Sequence, residues 1–242
     1  MNLSLKIPQA DQFQAAIARY IRDLKADLPA TIRRQGRLLL REAMGLTPPR
    51  TRTQGRKVVR TQVLRAVRPM SPSDFDSRQL RKLARKRDYE RLQKAFDAMP
   101  SGPFSGKRIV PFSPTLHQEA RDRRGRVPEK YDTALTLDVK EVRAYIRQAQ
   151  DHVGRAKGGW ASGVVALGGK VPGWVSRWTG TGRFRDELAN PVLRYIRQEN
   201  TSEWAGRGDE DRVLARAMEG RTKAILGDLE RRLAATTQGA FS

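Results

Sequence analysis

A mostly helical chain with little strand, interrupted by a long basic insertion, is the fold this sequence predicts. Three observations predict it. Apolar residues recur at helical spacing near both ends and again around residue 145. β-prone character is confined to two short stretches, 57–67 and 191–197. Between Pro69 and Pro128, prolines and charges break the periodicity altogether.

The elements follow in order. Asp11 is a candidate N-cap with Gln14 three residues on, and Phe13, Ile17, Ile21, Leu24 and Leu28 form a helical stripe that Pro29 should end. A second helix is expected from Ile32 to Met44, apolar along Ile32, Leu39, Ala43 and Leu46 and arginine-rich opposite, closed by Gly45 and Pro48-Pro49. Residues 57–67 can be read as a helix through Val59, Val63, Leu64 and Val67, or as a strand through Val63, Arg65 and Val67. The longer apolar spacing favours the helix.

Ser71-Pro72-Ser73-Asp74 then opens a very basic helix with Leu80, Leu83, Ala84, Leu92, Ala95 and Phe96 on one side. The prolines and the run Arg121 to Arg126 that follow read as a long loop or an arm that orders on a partner. Asp138 has the best-specified helix start in the chain. Glu141 completes a capping box, and Leu137 and Val142 are placed for a hydrophobic staple.

Trp160 to Leu167 reads as a small-residue helix that a neighbour can approach closely, followed by the aromatic module Pro172-Gly173-Trp174-Val175-Ser176-Arg177-Trp178. Pro191 to Arg197 reads as a strand. Asp209 caps a long final helix with Leu214, Met218, Ile225, Leu229 and Leu233 on one face, frayed from Ala234. The chain thus divides into an N-terminal helical part of the core (1–68), a basic insertion or arm (69–128), and a C-terminal part of the core (129–242).

Composition bounds the function. The 48 Lys and Arg against 26 Asp and Glu leave the 242 residues at +22, with a pI near 11.2. A field of that size repels copies of itself unless something anionic compensates it, so the partner is a polyanion or an acidic protein surface. The excess gathers in two runs, Arg33 to Arg68 and Arg78 to Lys94. Hydrophobic residues make up 38% and mean hydropathy is −0.67, below the ~45–50% apolar content usual for a globular domain. The shortfall implies surface that is extended or completed by neighbouring subunits.

No cysteine is present, which excludes disulfides, thiolate nucleophiles and Cys-ligated metals and fits assembly in a reducing cytoplasm. Met1 to Ala10 does not read as a signal peptide, and no stretch reads as a membrane span.

Candidate catalytic chemistry is thin. His117 and His152 are isolated, and Asp209, Glu210 and Asp211 are better explained by a helix N-terminal dipole than by metal. Gly168-Gly169-Lys170 and Gly180-Thr181-Gly182-Arg183 lack the P-loop pattern. The expectation is no enzymatic activity, no cofactor and no metal. Arg33, Arg34, Arg37, Arg41, Arg56 and Lys57 are the candidates to face DNA or an acidic protein. Any DNA contact would be dominated by phosphate, since no zinc-finger, zipper or RNP pattern is present. Trp160, Trp174, Trp178 and Trp204 could stack on bases but read first as core or interface anchors.

Three pieces together resemble the tail-completion and head–tail joining proteins of long-tailed bacteriophages, including the minor tail protein Z type. The first is the Arg-rich helix running into a proline turn, Arg37-Leu38-Leu39-Leu40-Arg41-Glu42-Ala43-Met44-Gly45-Leu46-Thr47-Pro48-Pro49-Arg50-Thr51, followed by Thr53-Gln54-Gly55-Arg56-Lys57-Val58-Val59, where family members commonly have Thr-Gly. The second is the block from Tyr145 to Trp178. The third is a strand near Asn190 to Asn200 before a long C-terminal helix.

The resemblance implies an α+β protomer with packed helices and a small antiparallel sheet. It implies a homo-oligomeric ring, six-fold, at the top of a tail or in the neck of a virion assembled in the host cytoplasm. It also implies tail-tube and connector proteins as partners, with genomic DNA passing through the channel and no membrane. The alternative from another class is a free protein that coats nucleic acid without sequence preference.

Overall fold

The computed structural model describes residues 8–24, 27–122, 125–188, 196–201 and 209–239. In chain order the elements are α1 (Pro8–Leu24), α2 (Leu28–Leu46), α3 (Arg52–Ala66), β1 (Val67–Pro69), α4 (Arg78–Lys86), α5 (Tyr89–Asp97) and α6 (Pro114–Glu119). They continue as β2 (Ala134–Thr136), α7 (Val139–Asp151), α8 (Arg155–Ala166), α9 (Gly173–Ser176), β3 (Gly182–Asp186), β4 (Ile196–Asn200) and α10 (Asp209–Gly239). The fold is α+β: mostly helix, with one antiparallel strand pair, β3–β4, and one parallel pair, β1–β2. The chain forms two compact units, one from Met1–Arg52 with Gly154–Ser242, the other from Thr53–Val153.

The first unit joins the two ends of the chain. Phe13, Ala16 and Tyr20 of α1 share an apolar cluster with Leu39, Leu40, Ala43 and Met44 of α2, Trp160 and Val164 of α8, and Ala217, Ile225 and Leu229 of α10. The Tyr20 hydroxyl donates to Asp228 at 3.1 Å. Pro29 does not end α1. It sits in the first turn of α2, where its missing N–H costs nothing, while Asp27 caps that helix by accepting from the Ala30 N–H at 2.6 Å. Asp11 lies inside the first turn of α1, not ahead of it.

The small-residue helix α8 does have a close neighbour, the β3–β4 hairpin of the same unit. A side chain at Gly159 would meet Asn200, and one at Gly163 would meet Gln198 and Leu40. Phe184 and Gln198 face inward there, and Gln198 donates to the Gly159 carbonyl at 2.7 Å.

The second unit corrects the expectation of an extended arm at 69–128. β1 and β2 are parallel, in the register Val67↔Ala134 and Pro69↔Thr136. Parallel strands need a long crossover, and the supposed arm is that crossover. It carries its own core. Phe96 and Phe104 stack with ring centroids 5.2 Å apart, Phe75 lies 5.3 Å from Phe104, and Leu80, Leu92, Ile109 and Leu135 complete the cluster. Stretches without periodicity are held by hydrogen bonds instead. The Ile109 N–H donates to Gln93 at 2.7 Å, the Val110 N–H to the Leu135 carbonyl at 2.9 Å, and the Val127 N–H to Gln62. Unit boundaries therefore fall near 52 and 153, not at 68 and 128.

Three further expectations are refined. Residues 57–67 are helical as far as Ala66 and turn into β1 at Val67. The single basic helix is two: Arg87 adopts φ 54°, in the left-handed region, and Asp88 caps α5 by accepting from the Arg91 N–H. α10 is helical through Gly239. Most of the strand expected at 191–197 lies outside the described residues; β4 begins at Ile196.

Candidate polyanion-binding faces

The sequence-selected arginines of α2 all belong to the first unit but do not act alike. Arg33 is neutralised. Its guanidinium donates to Asp186 at 2.7 Å, and that bond holds the Asp186 carboxyl below the usual carboxylate range. Arg37 is half-buried and reaches the Leu167 carbonyl at 3.4 Å. Arg34 and Arg41 are exposed and, like Arg37, meet no carboxylate among the described residues. Arg56 and Lys57 lie in the second unit. Arg56 is half-buried with its carbonyl accepting from Gln150 at 2.9 Å, and Lys57 is exposed.

The tryptophans separate too. Trp160 is 2% exposed and donates to the Thr47 hydroxyl at 3.0 Å, so its area is spent on its own unit's core and it is no interface anchor. Trp174 packs half-buried against that core, and Trp178 is half-buried with the Arg177 guanidinium 5.2 Å from its ring centre. Trp204 lies outside the described residues.

In the second unit, the most concentrated charge is on α4. Leu80 and Ala84 are buried, which turns Arg78, Arg81, Lys82, Arg85 and Lys86 to solvent. Arg78 and Lys82, Arg81 and Arg85, and Lys82 and Lys86 are each four apart, a spacing at which like charges destabilise a helix by about 0.2–0.5 kcal/mol per pair. None of the five pairs with a carboxylate among the described residues; Arg81 instead donates to the Asp76 carbonyl at 3.2 Å. A groove of about 590 Å³ also runs past α3 and α7, with Leu64, Val142 and Ile146 beneath exposed Arg60, Arg143 and Arg147.

The first unit has a second cationic face, on the hairpin. Strand alternation sends Phe184 and Gln198 inward and Arg183, Arg185, Arg197 and Glu199 outward. Those four line a cleft of about 140 Å³. In the register, Arg183 faces Glu199 and Arg185 faces Arg197. Glu199 is ion-paired with Arg197, which leaves Arg183 and Arg185 without a carboxylate among the described residues. Two arginines directly opposite each other are a destabilising cross-strand pair.

The two titratable groups shifted furthest, His117 and Lys157, are buried. His117 is 5% exposed and shares a 3.0 Å hydrogen bond between Nδ1 and the Tyr145 hydroxyl, while Nε2 finds no partner among the described residues. Burial, aided by the Arg121 charge, pushes its pKa down to about 4, so it is neutral at physiological pH. Lys157 is 4% exposed and donates to the Met44 carbonyl, an orphan acceptor at the end of α2; burial lowers its pKa to about 8. Asp138 begins α7 as expected but does not form the capping box. Its carboxylate accepts from the Phe112 N–H at 2.7 Å and pairs with Arg87 at 3.3 Å. Among the described residues no group of three His, Asp or Glu side chains could hold a metal ion. Nor is any described helix long and apolar enough to cross a membrane.

Sequence reasoning missed the hairpin face and Lys157. The hairpin had a signal in the alternation Arg183-Phe184-Arg185 and Arg197-Gln198-Glu199, which a reading of Gly180 to Arg183 as turn glycines passes over. The signal for Lys157 was its place three residues before Trp160, on the same face of a helix. No protein-family model, curated protein or solved structure matches this chain.

Proposed function

We propose that this protein is a structural virion protein of a tailed bacteriophage, completing the tail or joining it to the head at the neck as a homo-oligomeric ring. The observation that carries the reading is the surplus, on well-packed helices, of exposed arginine and lysine that meet no carboxylate among the described residues: Arg34 and Arg41 on α2, and the solvent face of α4. Same-sign charge held on rigid elements costs stability and is retained where an anionic partner compensates it. An acidic face of a neighbouring ring and the phosphates of DNA in a channel both do so. The helix-and-proline-turn resemblance of Arg37 to Thr51 supplies the virion context. Ring formation, six-fold symmetry, and tail-tube and connector partners belong to this proposal.

Mass spectrometry of purified particles tests it. The chain should be present at several copies per particle, and the isolated protein should form rings by negative-stain microscopy. Particles that lack the chain overturn the reading. Of the two partners, the exposed α2 arginines are given to the acidic protein face, so Arg41→Glu should block incorporation into particles with DNA affinity little changed.

The second reading, a free protein that coats nucleic acid, draws on the like-charge ladder of α4. It requires a small oligomer that binds unrelated duplexes alike and is absent from particles.

A further inference from the structure

We propose that the outward face of the β3–β4 hairpin is a phosphate-binding site for a nucleic-acid backbone, with Arg183 and Arg185 as the residues that hold successive phosphates. The inference rests on the nucleic-acid contact in the proposed function and names where the first unit makes it.

Four observations converge on this face. Arg183 and Arg185 are exposed, side by side on one strand, and without a carboxylate among the described residues. Residues two apart on a strand are separated by about 6.8 Å, a step close to that between neighbouring phosphates of an extended backbone. Arg185 stands directly opposite Arg197, an arrangement that is unfavourable until an anion lies between them. The cleft the four side chains enclose, about 140 Å³, is large enough for a tetrahedral oxyanion and is lined by these four alone among the described residues. The guanidinium fork suits phosphate oxygens two at a time.

The scaffold is stiff where it needs to be. The inner face is pinned to α8 through Gln198, which also contacts the Ser162 hydroxyl at 3.1 Å, and Asn200 donates to the Ala156 carbonyl at 3.0 Å. Asp186, the carboxylate at the end of β3, is occupied by Arg33 and does not compete for Arg185. Glu199 takes Arg197, so among the described residues the site presents two cations without a carboxylate and one shared pair, which favours a diester backbone over a single free phosphate.

The test uses the full-length protein and fluorescence anisotropy across a sodium chloride series. One probe is labelled dT20, the other a labelled 20-residue polyglutamate. The double variant Arg183→Gln/Arg185→Gln should flatten the log–log salt slope for dT20 by about 1.4, two contacts at about 0.7 each on a single strand. Its polyglutamate binding should change less than twofold.

An unchanged dT20 slope overturns the site. If Arg81→Gln/Lys82→Gln on α4 flattens the slope while the hairpin variant does not, nucleic-acid binding stands and the site alone is wrong. A hairpin variant that loses polyglutamate and keeps dT20 assigns the face to protein carboxylates and also overturns it. Arg185→Gln alone guards against misfolding. It should melt no lower than wild type in chloride, because it removes the opposed pair, and should lose the extra melting-temperature gain that wild type shows in sodium phosphate of matched ionic strength. A retained phosphate gain counts against the proposal.

Discussion

Residues 53–153 hold 23 of the 48 Lys and Arg and 12 of the 26 Asp and Glu, so the two units share the net charge of +22 equally although the second is the shorter. They bury apolar surface in different ways. The first unit draws its core from α1, α2, α8 and α10, whose residues meet across as many as 208 positions of sequence, and has one dominant cluster. The second uses contiguous chain, short helices and three smaller clusters built around phenylalanines and valines. Equal charge with unequal core construction means that charge does not report on order. The stretch richest in arginine and proline folds because it has aromatic area within reach, at little loop-closure cost.

The comparison is broken most severely by truncation. Ending the chain at residue 208 removes Ala217, Ile225 and Leu229 from the first unit's core. Each large side chain is worth about 2–5 kcal/mol, so the loss approaches the whole stability of a domain. Hydrogen exchange should show α1, α2 and α8 unprotected, with α5 and α7 retaining protection. Equal loss in α5 and α7 would mean the units do not fold as separate cores.

The reciprocal change is Phe96→Ala. Phe96 is 0% exposed and stacked on Phe104, so about 3–5 kcal/mol should be lost, read as a lower urea midpoint and faster exchange within 53–153. A cost under 1 kcal/mol would show that the aromatic cluster is not what holds the crossover.

Legibility followed the same division. In the first unit the stripes Phe13–Ile17 and Ile225–Leu229, the proline turn and the small-residue helix were all readable, because long helices repeat their signal over several turns. In the second, Leu80 to Phe96 gave a stripe but not the break at Arg87. A left-handed arginine has no sequence signature, and Asp88 as a cap is visible only once the break is known. Phe75 and Phe104, far apart and in no periodic run, gave no local hint that they meet. The candidate site was half legible. The arginines of α2 were found by density, whereas Arg183 and Arg185 depend on strand alternation in a segment dominated by glycine, and Asp186 as the partner of Arg33 lies 153 residues away.

A pH titration sharpens the comparison at the next scale. His117 in the second unit has its folded pKa depressed to about 4 from an ordinary 6.5. Between those values the unfolded chain binds the proton and the folded one does not. Stability from this group is complete above pH 6.5 and is lost as pH falls towards 4, by up to about 3 kcal/mol at ~1.4 kcal/mol per pKa unit. Urea midpoints followed by exchange within 53–153 should fall across that window. In His117→Phe, which cannot take up the proton, the slope should flatten. An unchanged slope in the variant would assign the acid sensitivity to carboxylates.

The smallest effect concerns α4, where stability and binding should move in opposite directions. Lys82 has Arg78 four residues before it and Lys86 four after. Lys82→Glu converts two repulsive pairs into attractive ones, and Glu ahead of Lys86 is the better orientation. The gain is below about 1 kcal/mol, a rise of a few degrees in melting temperature for a unit of this size. If α4 touches phosphate, the same change removes one contact and flattens the duplex salt slope by about 0.9. A protein that becomes more stable while its DNA binding weakens is carrying α4 for a partner. If melting rises and the salt slope does not move, α4 is a solvated face, and the nucleic-acid contact rests with the hairpin of the first unit.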